Sequence, residues 1–226
     1  APEASVGDYV DYDGSVLVID PSGRGQDETA YAVVKMLNGY LYVADCAGIS
    51  GGYSEKTLSG LAHIAKKHKV NMVLIESNFG DGMFTELLKP ILKKIYPVST
   101  EEVRHSKQKE LRIIDTLEPV MNQHKLIIDP KVIQHDFDSV QHHPPEKAQR
   151  YMLTYQLTRV TKTRGALAHD DRLDALAMGV AYWVEQMAAD VDEEMNERKH
   201  HMLMDQLESF HNMHNVQTPK RENTWI

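Results

Sequence analysis

Four carboxylates stand where a folded chain could bring them together: Asp20, Glu76, Asp171 and Asp174. Asp20 closes the apolar run Ser15–Asp20 (SVLVID), just before the turn residues Pro21-Ser22-Gly23. Glu76 follows a second apolar run, Val70–Ile75. Asp171 and Asp174 are three residues apart, a spacing that shares one face of a helix, while Asp170 points elsewhere. Carboxylates crowded in this way repel unless they are protonated or bridged by cations. An all-oxygen ligand set suits Mg²⁺ or Mn²⁺. Two such ions can activate a water and stabilise the leaving oxygen in phosphodiester hydrolysis. Each acid also has a plainer reading. Asp20 is a turn former, and Asp170 or Asp171 is a good N-cap. Asp174 on an Ala-rich inward face and Glu76 after an apolar run are harder to explain, because an unpaired buried charge is costly.

His169 adjoins the late acids and could orient a ligand or carry a proton. Two basic stretches lie nearby in sequence. Arg104, Lys107, Lys109 and Arg112 open one predicted helix, and Lys147, Arg150, Arg159, Lys162 and Arg164 precede the late acids. A solvated face explains either stretch alone. Two of them beside a metal crevice suit contact with a phosphate backbone, above all from Arg104, Lys107, Lys109, Arg112, Lys162 and Arg164.

Other chemistries are poorly served. No GxxxxGK[ST] run is present, and Gly23-x-Gly25 lacks dinucleotide-binding spacing. A single cysteine, Cys46, excludes internal disulfides and zinc-finger spacing and fits a reducing compartment. No run approaches 18 apolar residues, and the N-terminus lacks the apolar stretch of a signal peptide. The net charge of −8 is concentrated at the ends. Residues 1–13 carry four acids and no base, and residues 185–226 carry nine acids and four bases. The stretch between is nearly neutral, with 21 bases against 20 acids, so a polyanionic partner stays open.

Periodicity supplies the frame that must hold these residues. Ser15–Asp20 predicts a buried strand. Ala30–Leu37 and Tyr40–Cys46 predict two antiparallel strands joined at Asn38-Gly39, a strong hairpin signal. Ser54 caps a predicted helix to about Lys69, and Val70–Ile75 follows as a fourth strand. A helix over 82–94 leads to a strand around Ile95–Val98. The stretch 106–124 predicts a helix with Leu111, Ile114, Leu117 and Met121 on one face. Leu126–Ile128 predicts a short strand, and Tyr151–Thr161 a strand or hairpin arm. Asp170–Gln186 predicts a helix with Leu173, Ala177, Val180, Ala181 and Val184 inward. The fold class is α/β, a ribonuclease-H-like mixed sheet of three antiparallel strands and then αβ units, flanked by helices. In that order the first and fourth strands are parallel neighbours about 4.8 Å apart. Asp20 and Glu76 then face one crevice at the carboxyl ends of the strands. The predicted organisation is an N-terminal extension or linker over 1–13, the nuclease-like domain over 14–187, and an acidic, partly helical or disordered tail over 188–226.

The blocks VLVIDPSGRGQDETAY, VLIESNFGDGMF and HDDRLDALA, in that order, resemble the nuclease domain of podovirus-type tailed-phage terminase large subunits, over about Ser15–Trp183. The resemblance implies a two-metal-ion endonuclease, with Mg²⁺ or Mn²⁺, that cuts concatemeric double-stranded viral DNA during packaging in the host cytoplasm. It assigns Asp20 and Glu76 as ligands and leaves Asp171 and Asp174 both open as the late one. The packaging ATPase domain of the full-length chain, the portal and the small terminase subunit become the implied partners, with no membrane. The family's ATPase part is missing, so the chain reads as an excised C-terminal portion. A junction resolvase or integrase would use the same site on branched DNA. A non-catalytic packaging module docking through the acidic tail is the third reading.

Overall fold

The computed structural model describes residues 10–22, 28–77 and 82–214. Six strands form one sheet in the order β5-β4-β1-β2-β3-β6. They are β1 (Gly14–Asp20), β2 (Thr29–Leu37), β3 (Tyr40–Ile49), β4 (Met72–Glu76), β5 (Ser99–Val103) and β6 (Leu126–Ile128). The β1–β2 and β2–β3 pairs are antiparallel, whereas β1–β4, β4–β5 and β3–β6 are parallel. Asn38 and Gly39 both take positive φ, as a tight turn between twisted strands requires.

One face of the sheet is covered by α1 (Glu55–His68) and α2 (Met83–Ile95), whose Leu58, Leu61, Leu88 and Leu92 meet Leu17, Ile19 and Val33. Ser54 caps α1 by accepting from the Thr57 amide, and Lys69 closes it in the left-handed conformation. The other face meets the first turns of α7 (Asp171–His214). Gly179 lets that helix approach closely, because a Cβ there would lie 2.8 Å from Val34 Cγ2 and 3.2 Å from Val18 Cγ2. Four residues on, the Trp183 indole donates to the Val34 carbonyl at 3.0 Å. The helix is thus gripped at two successive turns against β1 and β2.

The sequence reading fails at several elements, each for a physical reason. The strand expected at Ile95–Val98 lies instead at Ser99–Val103, an edge strand of mainly polar residues; Ile95, Tyr96 and Val98 pack beneath the core as a helix end and connector. The segment Tyr151–Thr161 forms no strand: α5 (Pro145–Tyr151) ends where α6 (Leu153–Arg159) begins, and Leu153 and Gln156 are buried at helical spacing. Together with α4 (Pro130–Ser139), these helices fill the stretch between β6 and the 160–170 connection. Helix α3 (Lys109–Asn122) buries Glu110, Ile113, Leu117 and Val120, leaving Leu111 and Met121 exposed. Glu110 turns inward because its carboxylate accepts the Gly165 amide.

The chain divides into two units, 1–183 and 184–226. Val184, expected inward, opens the second unit and is exposed. That unit is helical as far as His214, and its side chains from Val184 to Leu207 are exposed apart from the half-buried Met187. The end of the expected tail, 215–226, lies outside the described residues. Among the described residues, no helix is long and apolar enough to cross a membrane.

Replacing Trp183 with Ala should cost about 3–5 kcal/mol, because a large buried ring is lost and the Val34 carbonyl loses its donor. Urea denaturation of wild type and variant checks this.

Candidate metal centre

Asp20 and Glu76 are the last residues of β1 and β4, and the parallel register pairs Ile19 with Ile75 one step earlier. Both carboxylates therefore emerge at the same end of neighbouring strands. Asp174 comes from the first turn of α7, its amide bonded to the Asp170 carbonyl at 2.8 Å. Ligand oxygens of Asp20, Glu76 and Asp174 lie within 4.8 Å of one another. Asp174 is fully buried and Glu76 nearly so, while the Asp20 side chain is 13% exposed. Asp171 lies outside this trio, with 28% of its side chain exposed.

Two cations are threaded into the group from α3. The Lys109 ammonium lies 2.8 Å from Asp170, 3.2 Å from Asp174, 3.3 Å from Asp171 and 3.5 Å from Asp20. Arg112 Nη2 lies 2.8 Å from one Asp174 oxygen and 3.8 Å from Glu76. These two residues, expected as phosphate contacts, sit among the acids. Burial disfavours the charged form of Lys109, but the carboxylates outweigh it and hold the amine firmly protonated. Burial likewise pushes the carboxyl of Asp174 up to about 6, against the pull of Lys109 and Arg112 and with help from Glu76. Asp20 is raised well above the ordinary range by burial, and Glu76, Asp171 and Asp174 add to the shift that Lys109 opposes.

Asp20 Oδ2 is buried and accepts no hydrogen bond among the described residues. A buried carboxylate oxygen without a hydrogen bond, met among the described residues by the Lys109 ammonium at 3.5 Å, stands in an all-oxygen trio that fits a hard divalent cation. Asp20, Glu76 and Asp174 are the residues that could hold it.

The other expected residues spread around this centre. Arg104 donates from Nε to Ser77 Oγ at 3.2 Å, beside Glu76. Lys107 and Arg164 line a cleft of about 430 Å³ with Lys109 and Asp170. Gln108 donates to the Lys162 carbonyl at 3.4 Å, which fastens the exposed 162–165 loop to the start of α3. His169 stacks on the Tyr151 ring, with centroids 3.9 Å apart. A larger groove of about 950 Å³ lies away from the acids, along β3 and β6. There Asp45 accepts from His135 at 2.7 Å and His68 at 3.0 Å, with Lys67 at 3.3 Å. That carboxylate is already matched by donors and reads as an ion cluster tying α1 and α4 to β3. Sequence reasoning passed over Arg172, Glu28 and Asp136, a buried group directly behind the first turn of α7. Its one signal is an arginine between Asp171 and Asp174 on a helix that is otherwise apolar on its inner side.

Residues 19–126 match the family model described as the ribonuclease H-like domain of the bacteriophage T7 terminase. The chain is 49% identical over 179 residues to the terminase large subunit of Enterobacteria phage T3, a match covering 79% of this chain and 30% of that protein. The fold is shared with the manganese-soaked, inhibitor-bound nuclease domain of the human cytomegalovirus terminase. That match has a TM-score of 0.52 and 15% identity and covers 76% of this chain and 84% of that one. The large-terminase nuclease domain of bacterial virus Sf6 gives a TM-score of 0.51 at 12% identity, covering 76% and 90%. Both matches are likenesses of fold.

The raised carboxyls make an ionised centre unfavourable as pH climbs from about 4, the free-carboxylate value, towards about 6. A divalent ion bound to those oxygens would replace the protons. Millimolar Mn²⁺ should therefore raise the Tm of the wild type, more at about pH 7.5 than at about pH 5. Asp20→Asn should lose most of that rise. Differential scanning calorimetry with and without the ion checks both.

Proposed function

From a chain whose residues 19–126 belong to the ribonuclease-H-like domain family of T7-type terminases, we propose a metal-dependent endonuclease, the nuclease portion of a terminase large subunit. Its substrate is concatemeric double-stranded viral DNA, cut in the host cytoplasm during genome packaging. The observation that carries this reading is the trio Asp20, Glu76 and Asp174, gathered within 4.8 Å from two strand ends and a helix. Residues 14–187 form the nuclease domain and 188–226 an acidic appendage. The matched T3 protein is much longer than this chain, so an ATPase domain of the full-length chain, the portal and the small subunit are the proposed partners.

Asp20, Glu76 and Asp174 would hold Mg²⁺ or Mn²⁺ ions, with Asp171 at the rim. When bound, two such ions supply an activated water and charge stabilisation for the leaving 3′ oxygen. The protein's own groups do the rest. Lys109 and Arg112 oppose the rise that burial imposes on the Asp174 carboxyl, and Lys109 does the same for Asp20. Lys107, Lys162 and Arg164 border the centre and position the phosphate backbone without reading bases. Arg104 steadies the end of β4 through Ser77.

Incubating supercoiled plasmid with Mg²⁺, Mn²⁺ or EDTA tests the reading. Cutting is expected with either ion and not with the chelator, and undiminished cutting in EDTA would overturn it. Asp20→Asn and Asp174→Asn should each lower the rate by about 10²-fold or more while folding is kept. Asp171→Asn should cost less. A preference for branched over linear duplex would favour a junction resolvase. DNA binding should weaken steeply with salt, and charge removal at Lys107 and Arg164 should flatten that slope.

A further inference from the structure

Arg172 stands between Asp171 and Asp174 in the first turn of α7, and its side chain is fully buried. A guanidinium cannot shed its charge there, so its position is dictated by its partners. Glu28 grips it as a fork, with Nε 2.6 Å from one oxygen and Nη2 2.8 Å from the other. Nη1 donates to Asp136 Oδ1 and to Ser139 Oγ, both at 2.8 Å, on α4.

The partners are themselves held in place. The Glu28 carboxylate lies over Gly48 of β3, where any Cβ would collide with it. Asp136 also accepts the amides of Leu153 at 2.8 Å and Thr154 at 3.2 Å, at the start of α6. From α6, Gln156 accepts the Leu173 amide at 2.9 Å, one of the α7 N-terminal amides that has no partner within the helix.

Residues two apart on a helix point to nearly opposite sides. Arg172 is bound to Glu28 and Asp136, while Asp174 meets Lys109 and Arg112. Two opposed ionic grips thus fix the rotation of α7 about its axis. That rotation matters at the carboxylate end. With side chains about 6 Å from the axis, a turn of roughly 20° moves an oxygen by about 2 Å. Cation ligand distances tolerate about 0.2 Å. An apolar side chain at 172 would bury the helix equally well but remove the ionic grip at its first turn, leaving the contacts of Gly179 and Trp183 further along.

We infer that Arg172 is a positioning residue for the carboxylate centre, fixing the rotation of α7 that brings Asp174 to Asp20 and Glu76. This rests on the proposed cation-dependent nuclease. The test compares Arg172→Lys and Glu28→Gln with Leu92→Ala, a core variant on α2 that lowers stability away from this network. Mn²⁺ binding is read by the electron paramagnetic resonance of the free ion. Amide hydrogen exchange over 171–176 is read without any ion. Both network variants are expected to weaken Mn²⁺ binding by about 10-fold or more and to speed exchange in that turn, whereas Leu92→Ala does neither at matched global stability. Should Arg172→Lys fail to fold, Glu28→Gln decides, since it keeps the bond to Asp136. Unchanged exchange in the network variants, or equal losses in Leu92→Ala, overturns the inference. A wild type that binds no Mn²⁺ overturns the nuclease reading instead, and the exchange comparison still judges Arg172.

Discussion

Mutual repulsion among buried carboxylates is the constraint around which the first unit is built. Asp20, Glu76 and Asp174 share a space of 4.8 Å in surroundings that disfavour charge, and Asp170 and Asp171 stand at its edge. Left alone, such a group would push apart or take up protons. The fold prevents the first by anchoring each acid to a rigid element. Asp20 and Glu76 terminate paired strands buried on both faces, so a slip in register would disrupt the packing against them. Asp174 rides on a helix gripped through Gly179 and Trp183 against β1 and β2.

Charge compensation is the second half of the same problem, and it comes from a single helix. Lys109 and Arg112 are three residues apart on α3 and therefore share a face. Glu110 lies on a different side and bonds the 162–165 loop, so one turn of α3 both supplies cations to the acids and holds the neighbouring basic loop in place. The helix rotation that the acids need is the same one that turns Leu111 outward.

That coupling explains what could be read in the sequence and what could not. The strands β1 to β4 and helix α1 declared themselves through apolar runs, an Asn-Gly turn and a Ser54 cap, all of them local signals. So did the placement of Asp20 and Glu76 at strand ends. The face of α3 was misjudged because its inward residues include Glu110, and no apolar pattern reveals a buried glutamate satisfied by a distant amide. The same limit hid Arg172, whose partners lie 144 and 36 residues away. It also explains why Lys109 and Arg112 read as phosphate contacts, with no sign that they sit among the acids. The choice between Asp171 and Asp174 was open in sequence, since both occupy the first turn; burial and distance separate them only once α7 is placed against the sheet. Strand β5 gave no signal because an edge strand needs no apolar alternation.

Counted together, five carboxylates at the centre face two cations, Lys109 and Arg112. The imbalance is met in the free protein by the raised proton affinities of Asp20 and Asp174. Protons and the Lys109 ammonium are monovalent, and neither can draw oxygens from three elements to one point as a divalent ion does. Each nonetheless keeps the acids at close range, in a geometry that could hold a divalent ion. The free protein bears the cost of that arrangement as lost stability, spread over the packing of α7 and the buried Arg172 network rather than relieved at the centre itself.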